Sequence, residues 1–91
     1  MQYFVAPAFD RSLKGLEESR KKRIQKTIQL AVAFFETSLL PAGLGLKPLQ
    51  KGLWEIRAGR SDRILFLKNK NAVEFLLVGS HDEIKRFLKH A

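Results

Sequence analysis

The chain has 91 residues, no cysteine and two histidines, so one small core must serve it, unsupported by a disulfide or by a four-ligand Cys/His zinc site. Its 17 Lys and Arg against 9 Asp and Glu leave a net charge of +8, which favours a polyanionic partner (nucleic acid, acidic lipid or an acidic protein), although a basic surface kept for solubility has the same composition. The longest apolar runs, such as Phe75-Leu76-Leu77-Val78, fall far short of the roughly 20 residues that cross a bilayer, and neither the Cys-free composition nor the start Met1-Gln2-Tyr3-Phe4-Val5 suggests export, so a cytoplasmic protein without membrane contact is expected.

In chain order, Gln2 to Val5 is a short β-prone segment closed by Pro7. Phe9, Leu13 and Leu16 then follow at i, i+4, i+7, the spacing of one helix face. A second helical run places Ile24, Ile28, Ala31, Val32 and Phe35 on one side and Lys22, Arg23, Lys26 and Gln29 largely on the other, and it ends before Pro41. The cluster Ser19-Arg20-Lys21-Lys22-Arg23 is expected to span the junction between the two helices. Residues 41–52 carry the Pro and Gly density of an irregular segment.

The period then changes from helix to strand. Leu53-Ala58, Arg63-Lys68 and Ala72-Gly79 are β-prone runs separated by polar turns, which reads as an antiparallel meander. Ser80-His81-Asp82-Glu83 matches a capping box at the start of a last helix, whose apolar face is Ile84, Phe87 and Leu88. The expected architecture is one α+β domain over residues 1–91, in the order β-α-α-β-β-β-α. A helical hairpin packs on a small, twisted, mainly antiparallel sheet, with a C-terminal helix and with Trp54, Ile56, Ile64 and Phe66 pointing into the core.

Three side chains stand out as a candidate site: Arg57, Arg63 and His81. The first two lie on the sheet face opposite the hairpin, and a strand pair with a following helix can bring all three together. A helix N-terminus also favours phosphate. Such a set suits cleavage of RNA by attack of a ribose 2′-hydroxyl on the adjacent phosphorus, which needs no metal and no organic cofactor. It needs a proton acceptor, cationic donors for the charge on phosphorus and an acid for the leaving oxygen. Arginine serves the second need through its planar fork, and histidine can serve either of the others.

Each has a second reading. Arg63 is equally an ion-pair partner for Asp62, Glu55 or Glu74, Arg57 a surface cation, and His81 a first-turn residue beside a good cap. Ser80 is explained by capping, Glu17 and Glu18 by solvated helix positions, and His90 lies in the terminal segment.

The motifs Gly52-Leu53-Trp54-Glu55-Ile56-Arg57, Asp62-Arg63-Ile64-Leu65-Phe66 and Val78-Gly79-Ser80-His81-Asp82-Glu83-Ile84-Lys85-Arg86-Phe87, preceded by Lys47-Pro48-Leu49, resemble the C-terminal half of RelE/ParE-type toxins of bacterial toxin–antitoxin pairs. The resemblance implies a ribosome-dependent mRNA endonuclease that halts translation. It implies a cognate antitoxin, the ribosome and mRNA as partners, and operator DNA reached indirectly through the toxin–antitoxin complex. It assigns Arg63 to phosphate and transition-state stabilisation, Arg57 to the place of a basic residue on the preceding strand and His81 to acid or base work. Lys47, Lys51, Arg60 and Lys85 are the expected RNA contacts. Where some members carry a proton-exchanging Tyr this chain has Phe87, and where others carry a carboxylate it has Lys47, so the proton acceptor falls to His81 by elimination. Two rivals use the same charge: a ParE-like inhibitor of DNA gyrase, and a non-enzymatic basic module that binds RNA or an antitoxin.

Overall fold

The computed structural model describes residues 1–90. Its elements are β1 (Gln2–Val5), α1 (Pro7–Lys14), α2 (Glu18–Thr37), β2 (Leu46–Gln50), β3 (Leu53–Ala58), β4 (Asp62–Lys68), β5 (Ala72–Gly79) and α3 (His81–Lys89). The α+β class and the order expected from the sequence hold, with one strand added: β2 occupies a stretch read as irregular. Only Leu46 and Leu49 of β2 are half-buried. It is an edge strand, where Pro48 is tolerated because half the backbone groups need no ladder partner.

The five strands lie in the order β1-β5-β4-β3-β2. β1 runs parallel to β5, while the other three pairings are antiparallel. The helix junction also differs from expectation. The chain leaves α1 at Gly15 and re-enters helix after Glu17, so the basic cluster from Ser19 to Arg23 forms the first turns of α2. A junction of three residues is enough because Leu16 packs back against the core between the helices. From there Arg20 forks onto the buried Asp62 carboxylate, its Nη2 donating at 2.6 Å and its Nε at 3.1 Å, and pins α2 to the start of β4.

The hairpin covers one sheet face. Ile24, Thr27 and Ala31 form the buried stripe of α2, at the i, i+3, i+7 spacing that puts side chains on one line. The Thr27 hydroxyl stays satisfied by donating to the Arg23 carbonyl at 2.9 Å. Phe9, Ile24 and Ala31 meet Ile56, Ile64, Phe66, Val73, Phe75 and Val78, and Trp54 packs half-buried at the margin. Tilted rings run through this layer from Phe9 to Phe75 (6.0 Å), Phe66 (6.1 Å) and Phe35 (5.5 Å), a spacing at which aromatic pairs add to the area they bury.

The other face carries a second, smaller core. Leu53 and Leu65 meet Ile84 of α3, with Leu49, Leu76, Leu77, Phe87 and Leu88 around them. Strict alternation would send Leu76 and Leu77 to opposite faces. A register shift between Leu65 and Phe66, which oppose Leu77 and Phe75, leaves Leu76 as the extra residue of a bulge, and both leucines turn towards α3. The capping box expected at Ser80 is present: Ser80 Oγ accepts from the Glu83 N–H at 3.2 Å and the Glu83 carboxylate accepts from the Ser80 N–H at 2.9 Å. Cap, bulge and leucines together fix where α3 begins, and His81 is its first residue.

Candidate active site

Strand register assembles the site. On the α3 side of the sheet Lys47 lies opposite Glu55, which lies opposite Leu65, which lies opposite Leu77. One row nearer the strand ends, Arg57 lies opposite Arg63 and Arg63 opposite Gly79. Gly79 has no side chain to fill the end of this row, and the chain turns there through Ser80 into α3. The result is a hollow of about 410 Å³ lined by Gly45, Leu46, Lys47, Glu55, Arg57, Arg63 and His81.

The structure therefore brings together the three residues singled out for chemistry, and Lys47 with them. Arg57 is exposed and Arg63 half-buried. Like charges placed directly opposite on neighbouring strands oppose folding, so the pair needs a compensating anion. Glu55 supplies it within the protein: Arg63 Nη1 donates to Glu55 Oε2 at 2.6 Å, with 20 % of the Arg63 side chain and 4 % of the Glu55 side chain exposed. Of the three acidic partners considered for Arg63, register selects this one. Asp62 is taken by Arg20.

Two local features shape the rim. Gly45 sits against the stem of Arg57, where a Cβ would approach the Arg57 Cβ to 3.3 Å, and its carbonyl accepts from the Arg57 N–H at 3.2 Å. The loop thus holds the arginine on its strand without covering it. At the other side the capping box holds the α3 N-terminus, and the bond from the Ser80 N–H, followed by the bond with its hydroxyl, keeps the Glu83 carboxyl below the usual carboxylate range. His81 is exposed beside this cap.

The remaining expected RNA contacts stand elsewhere. Lys51 is in the β2–β3 turn and Arg60 in the β3–β4 turn, both exposed. Lys85 lies further along α3, on a wide depression of about 650 Å³ that also includes Gln50, Asp82, Arg86, Leu88 and Lys89. Phe87 packs into the α3 core rather than facing the hollow. Glu55 is the residue that sequence reasoning left out of the site, although its alternation with Leu53 and Arg57 put it on the correct face. What the alternation lacked was the register that sets it beside Arg63.

The chemistry open to this set is anion binding by Lys47, Arg57 and Arg63, with an imidazole and one carboxylate at hand for proton transfer. Among the described residues no helix is long and apolar enough to cross a membrane.

No protein-family model and no curated protein sequence matches the chain. Solved structures do. The RelB-RelE antitoxin-toxin complex from Methanococcus jannaschii matches with a TM-score of 0.70 at 22% identity, covering 92% of this chain and 96% of that one. YafQ from E. coli strain BL21(DE3) matches with a TM-score of 0.76 at 17% identity, over 91% and 96% of the two chains. The YoeB/ParE toxin from Agrobacterium tumefaciens matches with a TM-score of 0.65 at 19% identity, over 89% and 99%. The chain has the fold of RelE/ParE-type toxins.

Proposed function

We propose that this fold serves here as the toxin of a toxin–antitoxin pair, a metal-independent endoribonuclease that cuts messenger RNA on the ribosome in the cytoplasm and so blocks translation. The 91 residues act as one domain, held inactive by a cognate antitoxin, and the pair reaches its operator DNA as a complex. The observation that carries this reading is the row Arg57–Arg63 set against Gly79 in a hollow shared with Lys47 and His81. The opposition of two arginines is itself repulsive, but the pair matches a phosphodiester, whose two non-bridging oxygens accept from planar guanidinium forks.

In this mechanism Arg57 and Arg63 take the scissile phosphate and hold the charge that builds on its oxygens as the 2′-oxygen attacks. Arg63 commits Nη1 to Glu55, which leaves Nε and Nη2 for the phosphate. His81, exposed at the start of α3, hands a proton to the departing 5′-oxygen. The net charge of +8 speeds approach to ribosome-bound RNA, and Lys47 lines the entry. Lys51, Arg60 and Lys85 extend the basic surface away from the scissile bond.

Primer extension on a defined message tests this, with and without translating ribosomes, comparing the parent chain with Arg63→Ala and His81→Ala. Cuts that require ribosomes and vanish in both variants are expected. Growth inhibition by folded protein without cuts would move the target to another macromolecule, DNA gyrase first. Cuts that survive both substitutions would keep the activity and reject the site.

A further inference from the structure

The reaction needs a group to take the 2′-hydroxyl proton, and one imidazole cannot conveniently both remove that proton and protonate the leaving oxygen. We infer that Glu55 is the proton acceptor, an assignment that rests on the ribonuclease reading above. Glu55 is 3% exposed and lines the hollow. Its Oε2 accepts from Arg63. Among the described residues no buried side-chain oxygen or nitrogen lacks a hydrogen-bond partner, and Oε1 makes no such bond, so Oε1 is the atom through which this carboxylate meets the hollow. A buried carboxylate anchored by one oxygen and open at the other is oriented towards whatever the hollow holds.

The surrounding charges suit the role. Lys47 faces Glu55 from β2, Arg57 stands two residues along β3, Arg63 approaches from β4 and His81 from the start of α3. A phosphate held between Arg57 and Arg63 places the ribose that bears it on its 3′-oxygen, the one whose 2′-hydroxyl attacks, next to the Glu55 row. Oε1 then takes the 2′-hydroxyl proton, the 2′-oxygen forms its bond to phosphorus, the bond from phosphorus to the 5′-oxygen breaks and that oxygen takes the His81 proton. The products are a 2′,3′-cyclic phosphate and a 5′-hydroxyl. Glu55 ends protonated and His81 neutral, so a return of one proton between them resets the site.

Glu55→Gln keeps the size and the acceptor for Arg63 but cannot take the proton. On a ribosome-bound message in single turnover, its rate is expected to fall by at least about 100-fold, with binding to the programmed ribosome within about threefold. Glu55→Asp is expected to recover part of the rate. A message with a bridging sulfur in place of the leaving 5′-oxygen separates the roles, because a thiolate leaves without an acid. It should restore His81→Ala and leave Glu55→Gln slow. Glu55→Gln cleaving within about threefold of the parent, or restored by the sulfur substrate, would overturn the assignment while the ribonuclease reading stands. A folded parent chain that cuts no message on any ribosome would overturn both.

Discussion

Replacing Arg63 with Met strips the Glu55 carboxylate of its counter-ion while keeping a side chain of similar length on the sheet. With 4 % of the Glu55 side chain and 20 % of the Arg63 side chain exposed, the bond belongs to the buried class, where loss of one partner costs about 3–5 kcal/mol because the other charge is stranded. One carboxylate oxygen still reaches solvent in the hollow, which puts the cost at the lower end, about 3 kcal/mol. In a domain of this size each kcal/mol moves the midpoint by roughly 4–8 °C, so the Tm of Arg63→Met should drop by about 12–24 °C. Adding Glu55→Leu removes the stranded charge, and the double variant should return to within about 1 kcal/mol of the parent. Urea denaturation of the parent, both single variants and the double variant measures this cycle. A single Arg63→Met variant as stable as the parent, or a double variant no better than Arg63→Met alone, would refute the claim that the site stores a buried, compensated charge. Any activity assay of an Arg63 variant must accordingly be run well below its own midpoint.

Three smaller predictions concern the frame around the site. Gly59 has φ 87°, and a Cβ there would lie 2.6 Å from Arg23 Cδ, so Gly59→Ala should cost about 1–2 kcal/mol; adding Arg23→Ala should relieve the contact but not the backbone strain, and full recovery in denaturation would reject this. Ser80→Ala should cost about 1 kcal/mol near neutral pH. The Glu83 carboxyl is held below its ordinary range by Ser80, so its contribution is present above the unfolded-chain value and lost as pH falls through the depressed one; the Ser80→Ala penalty should therefore shrink as the pH is taken down through the acid range. Tyr3, the one tyrosine, is pushed up to about 12 by burial first and then by its 2.6 Å bond to Glu36 and that residue's charge. Its contribution is complete below about pH 10 and fades as pH rises towards the folded value. A rapid pH jump followed by tyrosinate absorbance should show the midpoint near 12, lowered in Glu36→Gln; the same midpoint in both would exclude the Glu36 contribution.

How much of this was legible follows from where burial is two-sided. β3, β4 and β5 sit inside the sheet, so Ile56, Ile64 and Phe66 announce themselves by alternation, and polar turns mark the ends of these strands. β2 has one neighbour and two half-buried residues, and its Pro48 reads as loop when burial is unknown. The N-terminal end of α2 was obscured by Ser19-Arg20-Lys21-Lys22-Arg23, whose charges carry no period; Gly15, just past Lys14, was the better marker. The α3 face of Ile84, Phe87 and Leu88 was visible, but its docking partner depended on the bulge at Leu76, which local sequence does not disclose. The site followed the same division. Arg57, Arg63 and His81 stood out by residue type and by element, whereas Glu55 needed a register to become a neighbour of Arg63 rather than one acid among three.

The parallel pairing of β1 with β5, Gln2 against Ala72, has a consequence for the order of events in folding. A parallel neighbour cannot be reached by a tight turn, and the loop that must close here encloses most of the chain, so its entropy is spent before any β1 contact forms. The β3-β4-β5 meander is local and can form first, leaving β1 to dock on a finished β5 edge. β1 thus finds its neighbour only once β5 exists, and the hollow, whose last contributor in chain order is His81, waits on the same stretch of chain.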